Sequence, residues 1–336
     1  MPNPDSASGR SRYAAIDLGT NTCLLLIADW DGKRLAPLAQ EMRVVRLGAG
    51  VGRTGLLSEE AMARAETAFR EYREIIDAHH CRQVSCVSTS AFREATNAES
   101  LRARIEAATG YELTAITGAE EAALVLLAVQ HAFTAPSGNR VIVDVGGGST
   151  ELILEHSGEP TGMESLPLGS VRLTERWFRG DPPAQEELAA ASGQIEAVLA
   201  ASKLETRVDT LVAVGGTATT FVAMDQQLDA YDHASVHGAS LPSGTVRQIL
   251  DRCLALPTRR RTELPGLHPG RAEVIIAGGM ILNAVMERFG QAEALVSDQG
   301  LRWGALLEMA LGAAKDRATG PPPAAVGSTD VAGNNP

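Results

Sequence analysis

Two segments of this chain repeat one pattern at a constant spacing of 127 residues. Residues 14–28 read AAIDLGTNTCLLLIA, and residues 141–155 read VIVDVGGGSTELILE. The alignment places Asp17 on Asp144, and a glycine follows two positions later in both copies. Each copy predicts a strand, a tight turn and a returning strand. A chain of 336 residues that contains this unit twice is expected to form two related domains.

The turn of each copy exposes backbone N–H groups at the tip of a hairpin. Successive N–H groups that converge in such a turn bind phosphate, and an adjacent aspartate can hold a hard cation that neutralises phosphate oxygens. One Asp-x-Gly turn alone is explained by ordinary turn chemistry, whereas the duplicated turn with matched strands favours a phosphate site. Two facing tips would bracket one phosphate chain. We predict that the tips supply these substrate-binding residues: Gly19, Thr20, Asn21, Thr22, Gly146, Gly147, Gly148 and Ser149.

The rest of the chain alternates short aliphatic runs with longer helical patterns, which is typical of an α/β fold. Further strands are predicted at residues 84–87, 113–116 and 211–214, and the last of these is followed by a turn at residues 215–217. Helices are predicted from residue 58 onward and over residues 97–109, 118–132, 170–178, 183–203, 243–255, 271–288 and 301–313.

These elements predict two domains with polar tails. The first domain covers residues 13–135 and is completed by the C-terminal helix at about residues 301–314, and the second covers residues 136–300. The boundary lies in the Pro/Ser/Gly/Asn stretch at residues 135–139. Residues 1–12 and 315–336 are rich in Pro, Gly and Ser without apolar periodicity, and we predict that both are disordered.

The composition excludes several classes of protein. Lysine and arginine total 30 against 41 acidic residues, so the net charge is −11. Duplex nucleic acid is therefore a poor partner, because its binding depends on clustered basic residues. The N-terminal residues do not resemble a signal peptide, and the apolar run near the start has the length of a strand. The four cysteines have neither zinc nor disulfide spacing. We expect a cytoplasmic protein with no duplex nucleic acid and no membrane among its partners.

Seven segments together make the chain resemble the exopolyphosphatase/guanosine pentaphosphate phosphohydrolase (Ppx/GppA) family. They are AAIDLGTNT from residue 14, STSAFREATN from residue 88, ITGAEEAAL from residue 116, VIVDVGGGSTEL from residue 141, SLPLGSVRLTE from residue 165, VAVGGTATT from residue 212 and SDQGLRWGAL from residue 297. The resemblance implies an α/β protein of two actin-like (ribonuclease H-like) domains with a cleft between them. It also implies the short form of the family, since the helical region that follows in longer members has no counterpart here. A homodimer is left open.

The resemblance also implies roles for residues outside the hairpin tips. Glu121 falls on the second glutamate of the family's Gly-x-Glu-Glu-Ala motif, which is the general base, and Glu120 is the alternative. On composition alone, both glutamates are explained by the favourable position of acids at a helix N-terminus. Arg93 resembles the family's phosphate-binding arginine, whose planar fork can hold two oxygens. Gly216 and Thr217 lie where actin-like folds turn over a nucleotide.

The same resemblance predicts a Mg²⁺ site. Asp144 and Glu151 fit the family's Asp-x-Gly-Gly-Gly-Ser-x-Glu motif, while Asp17 depends mainly on the internal repeat. Carboxylates are the ligands that Mg²⁺ prefers. The competing interpretation is that Asp144 only caps its turn. A monovalent cation such as K⁺ is a second candidate cofactor.

Four functions remain open at this point. The first is hydrolytic release of terminal orthophosphate from inorganic polyphosphate, with Glu121 activating water, and the second is the same reaction on the 5′-phosphate of guanosine pentaphosphate (pppGpp). The third is an actin-like kinase or chaperone, which ATP-dependent phosphate transfer would reveal. The fourth is a non-catalytic polyphosphate or alarmone sensor, which would bind its ligand without releasing phosphate.

Overall fold

The computed structural model describes residues 11–134 and 138–319, with side chains up to residue 313. The first ten residues, the last seventeen and most of the predicted domain boundary lie outside this description. Strand β1 nevertheless starts two residues inside the predicted N-terminal tail, and the last helix extends to Thr319, beyond the predicted start of the C-terminal tail at 315.

The first sheet contains five strands in the order β3-β2-β1-β4-β5. They are β1 (Ser11–Leu18), β2 (Thr22–Trp30), β3 (Leu35–Val44), β4 (Gln83–Ser88) and β5 (Thr114–Ala115). β1, β2 and β3 form an antiparallel meander, and β4 and β5 continue the sheet parallel to β1.

The second sheet contains six strands in the order β10-β11-β9-β6-β7-β8. They are β6 (Asn139–Val145), β7 (Thr150–His156), β8 (Glu159–Leu166), β9 (Thr210–Val214), β10 (Ser240–Pro242) and β11 (Glu293–Ser297). β6, β7 and β8 again form an antiparallel meander, β9 and β11 run parallel to β6, and β10 lies antiparallel at the edge.

The two sheets preserve the 127-residue repeat in their strand register. Asp17 pairs with Val87 of the parallel neighbour, and Asp144 pairs with Val214. Even the register shift that follows Ile27 on β2 recurs after Leu154 on β7. The structure therefore confirms the predicted α/β class, with two related sheets that face each other across a cleft.

The repeat is longer than the sequence predicts. The sequence analysis predicts no strand at β3 or β8, because neither alternates buried and exposed residues: most of their positions are half-buried or exposed. A strand without one buried face has no period-two hydrophobic signal. Each predicted hairpin is thus the inner part of a three-stranded meander.

The sheets are covered by helices, many of which begin and end where the sequence predicts. The helices are α1 (Val51–Thr54), α2 (Glu59–Ala78), α3 (Ser90–Glu94), α4 (Ala98–Thr109), α5 (Gly118–Ala132), α6 (Ser170–Trp177), α7 (Gln185–Ala201), α8 (Gly215–Asp225), α9 (His233–Val236), α10 (Ser243–Leu254), α11 (Thr258–Arg261), α12 (Ile275–Arg288) and α13 (Leu301–Thr319). The predicted turn at residues 215–217 is instead the first turn of α8.

Local capping explains several of these boundaries. The Ser58 side chain accepts a hydrogen bond from the backbone N–H of Ala61 and so begins α2. Gly110 has a φ of 72° and ends α4, because glycine adopts this left-handed conformation without a steric penalty. Thr117 and Glu120 form a reciprocal capping box that begins α5 at its predicted residue.

Helices α5 and α13 lie between the two sheets and pack against each other. α5 follows the first sheet in the chain but contacts β7 and β8 of the second. α13 follows the second sheet but contacts β1, β2 and β4 of the first. The assignment of the C-terminal helix to the first domain stays a prediction. A cut at residue 135, however, assigns α5 to one domain although it packs on the sheet of the other. The packing of α5 on the second sheet brings the N-terminus of this helix to the cleft.

Within the described part of the chain, no helix combines the length and the apolar character needed to cross a membrane.

Candidate functional site

A cavity of about 790 Å³ lies between the two sheets, at the ends of β1 and β6. Both hairpin tips line it, together with the N-terminal turn of α8. All ten residues predicted to bind substrate are among its lining: Gly19, Thr20, Asn21, Thr22, Gly146, Gly147, Gly148, Ser149, Gly216 and Thr217.

The two tips have the same backbone geometry. In the first, the N–H of Gly19 donates to the carbonyl of Thr22 at 2.9 Å, and in the second, the N–H of Gly146 donates to the carbonyl of Ser149 at 3.0 Å. The donor and acceptor positions are 127 residues apart in both cases. The duplicated sequence therefore folds into duplicated turns, and these turns face one another across the cleft.

The tips also touch. A Cβ atom on Gly147 would lie 2.8 Å from Cβ of Thr20 in the opposite tip, and one on Gly148 would lie 2.3 Å from Oγ of Ser90 at the start of α3. Real side chains do not approach so closely, so glycine is required here for the second tip to reach the first domain. Ser90 is the repeat counterpart of Thr217, since both follow a parallel strand by the same number of residues. Sequence reasoning singled out Thr217 and missed Ser90, which the same 127-residue spacing would have found.

Asp17 and Asp144 line the cavity from opposite domains. Burial raises the pKa of Asp17 to about 8, and repulsion by Glu121 and Asp144 adds to the shift. Burial, followed by repulsion from Glu121, raises the pKa of Asp144 to about 7. The Oδ1 atom of Asp17 is buried and has no hydrogen-bond partner among the described residues. Carboxylates in this state are stabilised by a cation between them.

Glu121 lies in the first turn of α5, is only 8% exposed and lines the cavity. Its Oε2 accepts a hydrogen bond from Nη1 of Arg93 at 3.0 Å, and the same Nη1 donates to the carbonyl of Ile116 at 2.7 Å. Burial raises the pKa of Glu121, while the hydrogen bond and the charge of Arg93 oppose the shift. Arg93 itself is half-buried and does not belong to the cavity lining. Its geometry orients the carboxylate of Glu121.

The neighbouring glutamate has a different role. Glu120 is exposed, and its Oε2 accepts hydrogen bonds from the N–H of Thr117 at 2.7 Å and from the hydroxyl of Thr117 at 2.9 Å. These bonds lower the pKa of Glu120. Glu120 is a helix cap outside the cavity lining, so its position contradicts the alternative assignment as general base.

Glu151 is buried on β7, where it pairs with Asp144 of β6. Its Oε1 accepts a hydrogen bond from Oγ of Ser165 at 2.8 Å. Burial raises its pKa well above the usual range, and the charges of Glu121 and Asp144 act in the same direction. Glu151 is not part of the cavity lining. Glu151 is therefore a buried neighbour of the carboxylates that line the cavity.

The three residues predicted to hold Mg²⁺ differ in their positions, because Asp17 and Asp144 line the cavity and Glu151 does not. No set of three His, Cys, Asp or Glu side chains in residues 11–134 and 138–313 is arranged to hold a metal ion. Asp17 and Asp144 fit a cation, because they repel each other across the cleft and one of their oxygens lacks a partner. The remaining positions around such an ion would have to come from water or from substrate oxygens, as is common for Mg²⁺.

Two arginines in the cavity were missed from the sequence. Arg271 is the last residue of a short 3₁₀ turn at Pro269–Arg271. Its guanidinium lies so close to Gly216 that a Cβ on Gly216 would be 1.7 Å from Nη1. Burial lowers its pKa, although a guanidinium stays charged. Arg302, in the first turn of α13, donates from Nη2 to Oε1 of Gln40 at 2.7 Å. Both lie at the cavity. The 297–306 segment contains Arg302, but no local pattern marks Arg271.

The far wall of the cavity contains a hydrogen-bonded group of three side chains. Asp298 accepts from the hydroxyl of Tyr231 at 2.6 Å and contacts Nδ1 of His233. Burial opposes ionisation of Asp298, but the bond to His233 and the charge of Arg302 outweigh it and lower its pKa. This wall therefore holds a carboxylate that is already paired, unlike Asp17 and Asp144.

The cavity as a whole suits a flexible polyanion. Backbone amides approach from two tips, a helix N-terminus and two arginines supply positive potential, and the buried carboxylate of Glu121 lies at the same cavity. Phosphoanhydride hydrolysis needs these parts: donors around the phosphoryl oxygens and one group that orients the attacking water.

Comparisons with known proteins agree with this interpretation. A model of the Ppx/GppA phosphatase family matches residues 26–313. The chain is similar to exopolyphosphatase 2 of Mycobacterium tuberculosis, with 36% identity over 318 residues that cover 89% of this chain and 99% of that protein. Among solved structures, it is similar to an Aquifex aeolicus Ppx/GppA family member (34% identity, TM-score 0.77, covering 90% of this chain and 99% of that chain). It is also similar to an exopolyphosphatase from Cytophaga hutchinsonii (28% identity, TM-score 0.83, covering 90% and 98%).

Proposed function

The chain belongs to the Ppx/GppA phosphatase family, and from that premise we propose that it is an exopolyphosphatase, which hydrolyses the terminal phosphoanhydride of inorganic polyphosphate. The observation that carries the proposal is the position of Glu121, a buried carboxylate that lines the cavity between two matched phosphate-binding tips. The similarity to a relative named exopolyphosphatase over 99% of that relative's length supports the choice of substrate.

The terminal phosphoryl group would lie between the tips. The amides of Gly147 and Gly148 on one side and the hydroxyl of Thr20 on the other would donate to its non-bridging oxygens. Arg271 and Arg302 would neutralise the following phosphates of the chain.

Hydrolysis then requires one proton transfer. Glu121 Oε accepts a proton from a water molecule whose oxygen attacks the terminal phosphorus, while the bond from that phosphorus to the bridging oxygen breaks. The products are orthophosphate and a chain shortened by one phosphate. Arg93 holds Glu121 in the orientation needed, through the hydrogen bond of 3.0 Å from its Nη1.

Asp17 and Asp144 are the residues that would hold Mg²⁺. When bound, the ion would supply positive charge to phosphate oxygens. Glu151, which lies behind them, would act through Asp144 and Glu121. The K⁺ site, the homodimer and the cytoplasmic location stay predictions.

Phosphate release with matched variants tests the proposal. Wild type, Glu121→Gln and Glu120→Gln are compared with Mg²⁺ on short polyphosphate, long polyphosphate, pppGpp and ATP. Loss of a general base lowers kcat by about 100-fold or more, so Glu121→Gln is expected to lose that activity. Glu120→Gln should retain it, since glutamine at the same helix position can still cap. Equal activity of both variants would refute the assignment of Glu121.

A second substrate is favoured by one feature of the cavity. The cavity lining also includes the apolar residues Leu228, Leu264 and Ile275, which would offer a surface for a nucleoside base. Turnover of pppGpp alone would make the protein a guanosine pentaphosphate phosphohydrolase. ATP-dependent transfer to a second substrate would indicate a kinase or chaperone, and binding without phosphate release would indicate a sensor.

A further inference from the structure

Helix α6 contacts the first domain through two side chains on one of its faces. Arg172 and Glu175 are three residues apart, so they lie next to each other on the helix surface. Both belong to the 165–175 segment, which the proposed reaction leaves without a role. Both carboxylate oxygens of Glu175 accept from the backbone N–H of Gly50, at 2.9 and 3.1 Å. This contact joins α6 to the glycine-rich loop before α1.

Arg172 makes the more central contact. Its Nε donates to the carbonyl of Gly148 in the second tip at 2.8 Å, and its Nη2 bonds to Oε1 of Glu94 on α3. The same Oε1 accepts from Oγ of Ser90 at 2.7 Å, and Ser90 faces Gly148 across the cleft. We call Arg172, Glu94, Ser90 and the Gly148 carbonyl the tip clamp. It joins a tip of the second domain to a helix of the first.

The tip clamp also reaches the proposed catalytic group. Glu94 and Arg93 are adjacent on α3, and Arg93 donates to Glu121. The backbone of α6 is fixed to the same tip, because the N–H groups of Val171 and Arg172 both donate to the carbonyl of Gly147, at 2.9 and 3.1 Å. A shift of Arg172 would therefore change both the spacing of the tips and the position of α3.

We propose, on the basis of the proposed function, that Arg172 is a positioning residue: with Glu94 it holds the second hairpin tip against α3 and so sets the spacing of the two phosphate-binding tips in the closed cleft. The contact is half-exposed, with 29% of the Arg172 side chain and 39% of the Glu94 side chain accessible. Half-exposed ion pairs contribute little to folding stability. Small errors in the placement of reacting groups are costly for catalysis. The tip clamp thus affects rate more than stability.

The first test is kinetic and compares Arg172→Lys, Glu94→Gln and the double variant with Arg176→Lys. Arg176 is an exposed arginine on the same helix, which stacks on the Trp177 ring at 5.3 Å, so it is a matched control. Each clamp variant is expected to lower kcat for polyphosphate about tenfold, the effect of one lost charge-assisted hydrogen bond, with KM changed less than about threefold. The thermal midpoint should move by no more than about 3 °C. The double variant should be no slower than the slower single variant.

The second test measures the cleft directly and needs no turnover. Glu74 on α2 and Arg247 on α10, two exposed positions on different domains, are each replaced with cysteine and spin-labelled. Cys81→Ser removes the partly accessible native thiol, which would otherwise also be labelled. Arg172→Lys should broaden the distance distribution toward longer values, and Arg176→Lys should not.

The outcomes separate this proposal from the proposed function. If the wild type releases no phosphate, the proposed exopolyphosphatase activity is refuted. The distances between the spin labels still test whether the tip clamp sets the spacing of the tips. An unchanged distance distribution in Arg172→Lys overturns the proposal, as does a kcat equal to that of Arg176→Lys. A double variant whose loss equals the product of the two single losses also overturns it, because the two residues would then act independently.

Discussion

Replacing Asp144 with asparagine is expected to make the protein more stable at pH 8 when no divalent cation is present. Asp144 is the second-last residue of β6 and lies in the cleft, where burial and the charge of Glu121 raise its pKa from 3.8 to about 7. Above pH 7 the folded protein therefore holds an ionised carboxylate in surroundings that disfavour its charge. Asparagine has nearly the same shape and removes that charge.

The magnitude follows from proton linkage. Between pH 3.8 and about 7 the folded state binds more protons at Asp144 than the unfolded state, so the stability contribution of this group falls as pH rises. A shift of about three pKa units corresponds to roughly 4 kcal/mol at pH 8, as an upper bound. Solvent in the cavity screens part of the repulsion, so we expect a gain of about 1–3 kcal/mol in the free energy of unfolding.

The assay is urea denaturation of wild type and Asp144→Asn at pH 5 and pH 8, first with EDTA and then with Mg²⁺. The advantage of the variant should be small at pH 5 and grow at pH 8. Mg²⁺ should stabilise the wild type at pH 8 and the variant less, since the variant has lost one of the two carboxylates that fit the ion. A variant that is less stable than wild type at pH 8 in EDTA would refute this reasoning and show that Asp144 is a satisfied turn cap.

Two further substitutions have distinct expected effects. Gly216→Ala would place a Cβ 1.7 Å from Nη1 of Arg271, so the guanidinium of Arg271 would have to move. We therefore expect KM for polyphosphate to rise about tenfold. The thermal midpoint should stay within about 2 °C of wild type, because the group that moves is the end of a flexible side chain. An unchanged KM would exclude Arg271 from substrate binding. Arg140→Met leaves Glu155, whose side chain is fully buried, without its partner at 2.6 Å, so urea denaturation should show a loss of about 3–5 kcal/mol. Wild-type stability of this variant would show that the buried pair contributes nothing.

The repeat explains why so much of the site could be predicted. Backbone turns with Asp and Gly at fixed positions are local structures, so the tips at Gly19 and Gly146 follow directly from nearby residues. The capping box and apolar pattern of α5 are also local, and the helix has its predicted bounds. The two tips meet because the duplicated unit folds into duplicated sheets.

The features that were missed depend on contacts between distant residues. The hydrogen bond between Arg93 and Glu121 joins residues 28 positions apart on α3 and α5, so no local pattern marks it. Arg271 reaches the cavity from a 3₁₀ turn with no sequence signal. Glu120 and Glu121 are neighbours but leave the helix in different directions. Glu120 points back to Thr117 at the start of α5, and Glu121 points into the cleft.

The duplication is symmetric in backbone but not in chemistry, and one of the differences lies beside the paired aspartates. Glu151 pairs with Asp144 on the second sheet, and the matching position on the first sheet, opposite Asp17, is Leu24. Leu24 lines the cavity, whereas Glu151 is buried behind it. The second sheet therefore contributes two of the carboxylates that act on one another, Asp144 and Glu151, whereas the first sheet contributes Asp17 and α5 contributes Glu121. Two equal phosphate cradles would hold an anion without choosing which end reacts. In the proposed reaction this unequal position would give the cleft a direction, with the attacking water beside Glu121 and the remaining chain leading toward Arg271 and Arg302.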